Sequence, residues 1–309
     1  MYRRRPSVRK WRRRGRRGQV SAIATILGLL LVVTYIANFL STELPSTMST
    51  NELNHVLEVE NQLGRLQALL QAGSAAHAVG AQFTQPVTLG GVGAPPFAAA
   101  DSAQIGPETN GSSFSLGYTL VGPGGTLAPF TVTGTAGLTV HLANTYSPAD
   151  DVSFDQGGVV FAQPGGTPVM IDGPSISAFQ ATGGPITSVS IWVPQFIGNI
   201  STDSGLGTTE ISTRLVSLST LALTASSSLS IKDSSTITFS VTSPYVAAWA
   251  GFFNDTSPFG SDWTCTPASV CDGNYRTGGA LGTITLSIPT GTHLNVLDIQ
   301  VATFSVTLI

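Results

Sequence analysis

The sequence predicts an N-terminal hydrophobic α-helix and an amphipathic helix, followed by an all-β, antiparallel sandwich-like extracellular domain. A long uncharged apolar stretch comes first. Apolar residues then recur every three or four positions, and after them come short segments in which apolar and polar residues alternate. Helices repeat every 3.6 residues and strands every two, so the change of period marks a change of structure. We divide the chain into a basic leader (1–18), a hydrophobic helix (19–42), an amphipathic helix (49–73) and a β-rich domain (83–309).

The hydrophobic helix is long enough to cross a bilayer. No charged residue occurs from Gln19 to Thr42, and about 20 apolar residues span the hydrocarbon core. Residues 1–18 hold ten of the fourteen Lys and Arg and no acid, whereas residues 19–309 hold four against seventeen acids. A basic flank beside an apolar span stays cytoplasmic by the positive-inside rule. We therefore interpret the leader as a topology signal and expect no nucleic-acid partner.

The junction between leader and helix resembles a known export signal. The run Arg16, Arg17, Gly18 and Gln19, followed by Val20–Leu27, is similar to the class III signal of archaeal type IV pilins and archaellins. The resemblance implies that a prepilin-type signal peptidase cuts between Gly18 and Gln19. Many pilins carry Glu five residues into the mature chain, where this sequence has Ile23. The alternative is an uncut signal-anchor.

A second, amphipathic helix is predicted over 49–73. Pro45 removes a helical hydrogen bond, so a break or kink is expected near Ser41–Ser49. Ser49 and Glu52 have the spacing of a capping box, and Gly73 is placed just past the helix end. We favour packing of this helix against its own β-domain over pairing with a copy of itself. The apolar face consists of Leu53, Val56, Leu57, Leu63, Leu66 and Leu70.

The remainder of the chain has the pattern of many short strands. Apolar and polar residues alternate, for example in Phe114–Val121 and Leu138–Leu142, and Gly- and Pro-rich turns divide the segments. The sequence has no repeat of fixed period, which argues against a propeller or a β-helix. At roughly 230 residues the domain is large for one sandwich, so a subdivision near 198–207 is considered. Later strand candidates include Val152–Phe154, Gly158–Gln163, Ile186–Val193, Glu210–Leu218, Leu221–Leu223, Leu229–Ile231, Ser235–Thr242, Ala280–Ser287 and Val296–Leu308.

One block inside this domain extends the resemblance. Leu142–Pro148 and then Asp155–Gln163 are similar to a segment of uncharacterised archaeal pilin-like surface proteins, in which an Asn-aromatic-Pro turn precedes a Gly-Val-Val strand. The likeness implies a shared β-domain and no known activity.

Candidate chemical sites are few. Asp150, Asp151 and Asp155 form a weak Ca²⁺ candidate, but their spacing does not fit an EF-hand, and a solvated acidic loop is the preferred interpretation. The four histidines show no metal-ligand spacing, and there is no nucleophile elbow or phosphate-binding loop. We expect no cofactor, no bound metal and no enzymatic activity, with an ectoenzyme such as a glycosidase as a minor alternative.

Two kinds of covalent modification are predicted for an exported chain. Cys265 and Cys271 are expected to form a local disulfide in an oxidising environment. Asn110, Asn199 and Asn254 begin N-glycosylation sequons.

The densest aromatic region is Pro244–Asn254, followed closely by Phe259 and Trp263. Ala247–Phe253 is expected to form a short helix that fills one end of the β-domain. Aromatic clusters also form sugar-binding surfaces, but we favour a place in the core.

These observations together predict a structural or adhesive cell-surface protein, a pilin-like subunit that is anchored or assembled through its hydrophobic helix. Its expected partners are membrane lipid, the signal peptidase and other copies of the same helix. The N-terminus would be cytoplasmic, with the β-domain outside the cell or in a filament. The alternative is a non-assembling, single-pass surface protein that binds glycans or envelope partners.

Overall fold

The computed structural model describes residues 14–108, 112–119, 121–122, 125–126, 130–180, 186–224, 236–255, 263–266, 281–289 and 296–309. For a few of them, 14–20 among others, the backbone alone is described. The described chain forms a long N-terminal helix followed by a mostly β domain with several sheets.

The helices are α1 (Arg14–Asn38), a π-helical turn (Phe39–Glu43), α2 (Leu44–Ala75) and α3 (Val246–Asp255). The strands are β1 (Gln82–Thr88), β2 (Ala103–Pro107), β3 (Ser113–Thr119), β4 (Val121–Gly122), β5 (Gly125–Thr126), β6 (Phe130–Gly134), β7 (Gly137–Leu142), β8 (Asp150–Asp155), β9 (Gly158–Ala162), β10 (Val169–Asp172), β11 (Ile176–Gln180), β12 (Ile186–Ile197), β13 (Asp203–Gly205), β14 (Thr208–Thr224), β15 (Thr236–Ser243), β16 (Trp263–Thr266), β17 (Gly282–Pro289) and β18 (Val296–Leu308).

The helix does not break at Pro45, so the predicted division into helices 19–42 and 49–73 is wrong. From Ser21 to Ala75 it runs continuously for 55 residues. Leu44 N–H donates to the carbonyl of Phe39, five residues back, in the π-helical turn. Pro45 then lies in the first turn of α2, directly after the π-helical turn, and has no N–H to donate to the carbonyls of that turn. A wider turn before the proline removes the need for a break.

Gly73 also has a different role from the one predicted. It lies inside α2, which ends at Ala75, and a Cβ added to Gly73 would be 2.4 Å from Cζ of Phe83. Gly73 is therefore the position at which the first strand packs closely on the helix. The chain leaves the helix through His77, whose φ is 51°.

Three larger sheets and one small one make up the β-domain. The first sheet has the order β1-β14-β18-β12-β11, the second β10-β9-β8-β7-β2-β13, and the third β16-β17-β15-β3-β6, while β4 pairs with β5. The prediction of an antiparallel domain holds for all of these pairs except β12 with β18, which are parallel from Ser188↔Val296 to Ile197↔Ser305. Parallel strands need a long crossover connection, and more than 90 residues separate these two in sequence.

Two hydrophobic cores share the strands of the first sheet. The first core joins the first sheet to the third sheet and α3, and the second core joins it to the second sheet and α2. Along β18, Leu297, Ile299 and Val301 belong to the first core, whereas Ala302, Phe304 and Val306 belong to the second. Successive side chains point to opposite faces of a strand, so the two halves of β18 bury opposite faces.

The segment considered as a subdomain junction, 198–207, contains β13, which pairs with β2 of the second sheet. The strands on either side of it, β12 and β14, both contribute to the two cores. Two predicted strands differ in outcome: Leu221–Leu223 is part of β14 rather than separate, and Leu229–Ile231 lies outside the described residues.

Candidate functional site

The long helix has two halves with opposite surroundings. In its described N-terminal half, residues 21–38, which is called the membrane half below, the apolar side chains are exposed, for example Ile26 at 63% and Leu31 at 70%. The continuous helix Ser21–Ala75 is the one described helix long and apolar enough to cross a membrane, and its most apolar window has a mean hydropathy of 2.3 and is not buried. An apolar helix without protein partners around it is stable in lipid and costly to expose to water.

The C-terminal half packs on its own domain. Val56, Val59, Leu63, Leu66 and Leu70 are almost fully buried in the second core. Each such side chain stabilises the packed state by about 2 kcal/mol, so α2 is a structural part of the β-domain. Of the predicted apolar face, Leu53 and Leu57 are instead exposed, at 57% and 46%.

The residues at the implied cleavage junction, Arg17, Gly18 and Gln19, lie in the first turns of α1. Their side chains are outside the described part of the structure. Further along, Ala24 and Gly28 stand four residues apart, and no atom lies within 4 Å of a Cβ added to Gly28. Small residues at this spacing allow a second helix to approach closely in a membrane.

The three clustered aspartates lie on a strand, so the interpretation as a solvated acidic loop is wrong. All three belong to β8 and are buried. Each has its own polar partners. Asp150 accepts hydrogen bonds from Asn144 and Gln163 at 2.9 and 3.0 Å, and the carboxylate of Asp151 lies 2.5 Å from Nδ1 of His141. Among the described residues, no group of three or more His, Cys, Asp or Glu could hold a metal ion.

Asp155 is the most deeply buried of the three, with no exposed surface. Its Oδ2 accepts hydrogen bonds from the hydroxyl of Ser243 at 2.6 Å and from the indole N–H of Trp249 at 2.9 Å. Its Oδ1 is buried without a hydrogen-bond partner. The carboxylate of Asp155 therefore connects β8 of the second sheet to α3, and only one of its two oxygens has a hydrogen-bond partner.

A second carboxyl, that of Glu108, is coupled electrostatically to Asp155. Its Oε2 accepts a hydrogen bond from Ser112, whose hydroxyl also accepts one from Gln156 at 2.9 Å, while its Oε1 is buried without a partner. Burial raises the pKa of Glu108 well above its ordinary value, and the charge of Asp155 raises it further. Burial likewise raises the pKa of Asp155, against hydrogen bonds from Ser243 and Trp249 that lower it. This pair favours a bound proton.

A surface pocket of about 280 Å³ opens beside Glu108. Glu108 is the one carboxylate in its described lining, since Asp155 lies beneath the surface. The arrangement that a glycosidase needs, two carboxyl groups across a cleft, is therefore not present in this described pocket. Its lining consists of Pro107, Glu108, Ser112, Thr135, Gly137, Phe196, Gly198, Asn199 and Ile200.

Glu52 is a buried carboxylate whose role the sequence pattern did not indicate. Its Oε1 accepts the backbone N–H groups of Thr145 and Tyr146, each at 2.8 Å, and its Oε2 accepts the hydroxyl of Ser147 at 2.6 Å. The expected capping box with Ser49 is absent because Ser49 lies inside the continuous helix. Glu52 instead fixes α2 to the Asn-Thr-Tyr-Ser-Pro turn, a connection of more than 90 residues in sequence.

The aromatic region forms α3 and lies in the core, as predicted. Tyr245, Trp249 and Phe253 are at most 2% exposed, and the rings of Trp249 and Phe253 are 5.9 Å apart. Phe252 packs against the first core and is only partly buried. Phe259 and the side chain of Trp263 lie outside the described residues.

The predicted modification sites are only partly described. Asn199 lies at the pocket rim and is exposed, and Asn254 is exposed near the end of α3. Asn110 and Cys271 lie outside the described residues. Cys265 is on β16, opposite Ile284, with its backbone alone described.

Comparisons with protein families, curated proteins and solved structures find no match to this chain.

Proposed function

We propose that this chain is a pilin-like structural subunit of the cell surface. One helix spans the membrane with its N-terminal half and packs on the β-domain with its C-terminal half. The observation that carries the proposal is the continuity of Ser21–Ala75, with one half exposed and apolar and the other half buried in the β-domain. Because the helix continues through the π-helical turn, no loop separates its exposed apolar half from the half that packs on the β-domain.

The charge distribution supports an external β-domain. Ten of the fourteen Lys and Arg precede the span, and the chain after it is acidic, which favours a cytoplasmic N-terminus. We propose that the domain is sandwich-like, since both cores lie between sheet faces, and that it presents a sparsely charged surface for adhesion or subunit contacts.

Self-association through the membrane half would build a filament. Apolar side chains cover this half, and Ala24 and Gly28 allow close helix contact. Ile23 occupies the position at which many pilins have Glu and is 58% exposed. This apolar residue favours the second candidate, an anchored surface protein that does not assemble.

N-terminal mass spectrometry of membrane-extracted protein tests the processing step. We expect the mature chain to begin at Gln19, and we expect Gly18→Leu to retain the leader because the implied peptidase cuts after this glycine. Gly15→Leu, a glycine substitution three residues earlier, is the matched control and should still be cut. A parent chain with an intact leader would contradict the pilin proposal.

Shearing of cells separates the two candidate functions. A pilin-like subunit would appear in filaments that sediment from the sheared supernatant. A non-assembling anchor would stay with the membrane fraction as a monomer.

A further inference from the structure

After α2 ends, the chain runs back along the helix toward its membrane half. Phe83 packs on Gly73, and the backbone N–H of Thr88 donates to Oε1 of Gln62 at 2.9 Å. Nε2 of His55 then donates to the carbonyl of Thr88, also at 2.9 Å. Each step along the returning chain contacts a helix residue closer to the N-terminus.

The loop after β1, residues 91–100, continues this descent and is called the proline loop below. The side-chain amide of Asn51 donates to the carbonyl of Val92 at 2.9 Å. The ring of Phe97 then meets Phe39 edge to face, with centroids 5.5 Å apart. Asn51 and Phe39 are twelve residues apart, about 18 Å along a helix, so the loop spans the base of the domain and reaches the π-helical turn.

The contact at Phe39 locates the loop relative to the membrane. Ser21–Asn38 is 18 residues, about 27 Å of helix at 1.5 Å per residue, which matches the hydrocarbon thickness of about 30 Å. Phe39 follows directly, and the first charged residue after the span is Glu43. With Ser21–Asn38 as the span of the proposed anchor, the ring of Phe97 lies at the level where hydrocarbon gives way to headgroups.

The proline loop is apolar and folded on itself. Residues 91–100 contain no charged side chain, and Val92 and Phe97 remain 69% and 50% exposed. The backbones of Ala94 and Ala98 exchange two hydrogen bonds, each of 3.0 Å, so several of its polar groups are already paired. Backbone that enters an apolar medium needs this internal pairing.

We propose that the proline loop inserts Phe97 and Val92 into the headgroup–acyl boundary of the bilayer that holds the N-terminal helix. The partner is lipid, and because the loop carries no charge, zwitterionic lipid suffices. The loop is then a second membrane contact that fixes the tilt of the β-domain. This inference rests on the membrane anchorage proposed above.

The test uses the full chain in zwitterionic nanodiscs that hold one chain each, with tryptophan quenching by lipids brominated high or low on the acyl chain. Phe97→Trp should gain quenching over the parent with bromine near the headgroup. Val79→Trp is the matched control, since Val79 is 58% exposed but follows the far end of α2, about 54 Å from Phe39. It should gain none. Leu30→Trp, in the middle of the span, should be quenched by the deep bromines.

The outcomes distinguish the loop from the anchor. Quenching of Leu30→Trp without added quenching of Phe97→Trp overturns the loop proposal and leaves the anchor intact. Absence of quenching at Leu30→Trp overturns the anchor and the loop together. A change at Phe97→Trp that appears only in discs holding two chains would show that a second copy, rather than lipid, covers the loop.

Discussion

The carboxyl groups of Glu52 and Glu108 are both removed from water, but they differ in their hydrogen-bond donors and in the charges beside them. Glu52, on α2, accepts two backbone N–H groups and one hydroxyl. Glu108, after β2, accepts one hydroxyl and faces the buried carboxyl of Asp155. Burial tends to raise the pKa of both. At Glu52 the hydrogen bonds from Ser147, Tyr146 and Thr145 outweigh it and lower the pKa.

The difference shows that the charge of a buried acid depends on the balance between desolvation, the donors around it and neighbouring charges. Where backbone N–H groups converge, a carboxylate is stabilised in its charged form. Where deep burial is combined with the charge of a second acid, as at Glu108 beside Asp155, the proton is retained. Ionisation of Glu52 therefore stabilises the folded protein, whereas ionisation of Glu108 destabilises it.

The largest effect is expected from Asp155→Ala. The substitution leaves the hydroxyl of Ser243 and the indole N–H of Trp249 buried without an acceptor and opens a small cavity, at a cost of roughly 3–4 kcal/mol in the free energy of unfolding. Urea unfolding of the full chain in detergent, followed by tryptophan fluorescence, measures it. Asp155→Asn, which keeps one carbonyl acceptor, should lose clearly less; equal losses would show that the two hydrogen bonds contribute little.

A smaller loss is expected from Glu52→Ala. The backbone N–H groups of Thr145 and Tyr146 lose their acceptor, which should cost about 2–3 kcal/mol. The matched control is Glu43→Ala, on the same helix but exposed, with an expected change within about 0.5 kcal/mol. The same unfolding assay compares them, and a similar loss in both variants would refute the role of Glu52 in fixing the turn.

The smallest effect, and the most specific, is a difference in pH dependence between Glu108→Gln and Glu52→Gln. Because the folded pKa of Glu108 is raised, ionisation of the unfolded chain above its ordinary value of 4.5 favours unfolding. Glu108→Gln should therefore become more stable than the parent as the pH rises through 4.5 toward neutrality. The two should converge below that pH.

The reverse is expected at Glu52, whose folded pKa is lowered. Its contribution is fully present above the ordinary value of 4.5 and is lost as the pH falls through the lower, folded value. The parent should exceed Glu52→Gln at neutral pH and approach it in acid. Thermal unfolding midpoints from pH 3 to pH 8 measure both curves, and parallel curves would contradict the assignment of opposite charge states.

The elements that the sequence predicts well are those with a local cause. The span after Gln19 follows from length and charge, and α3 follows from a compact apolar segment. Alternation also predicts most strands of the β-domain. Each of these depends on residues close together in the chain, so a period or a composition is enough to identify it.

The features that sequence reasoning missed have distant causes. Glu52 has a local capping pattern, but its partners are more than 90 residues away. Asp155 looks like part of a polar loop until β8 pairs with β7 and β9. No sequence motif indicated that Glu108 would be buried beside a second acid. At Pro45, a π-helical turn over Phe39–Glu43 replaces the expected break, and no local sequence signal for this turn was recognised.

The position of β18 has a consequence for the order in which the β-domain completes its fold. Residues 296–308 lie between β14 and β12 and pair with both. Until this segment is in place, the two neighbouring strands have a gap about 10 Å wide between them, and neither core is closed. The first sheet and both cores are therefore completed only when residues 296–308 are available to pair, long after β1, β12 and β14 have been made.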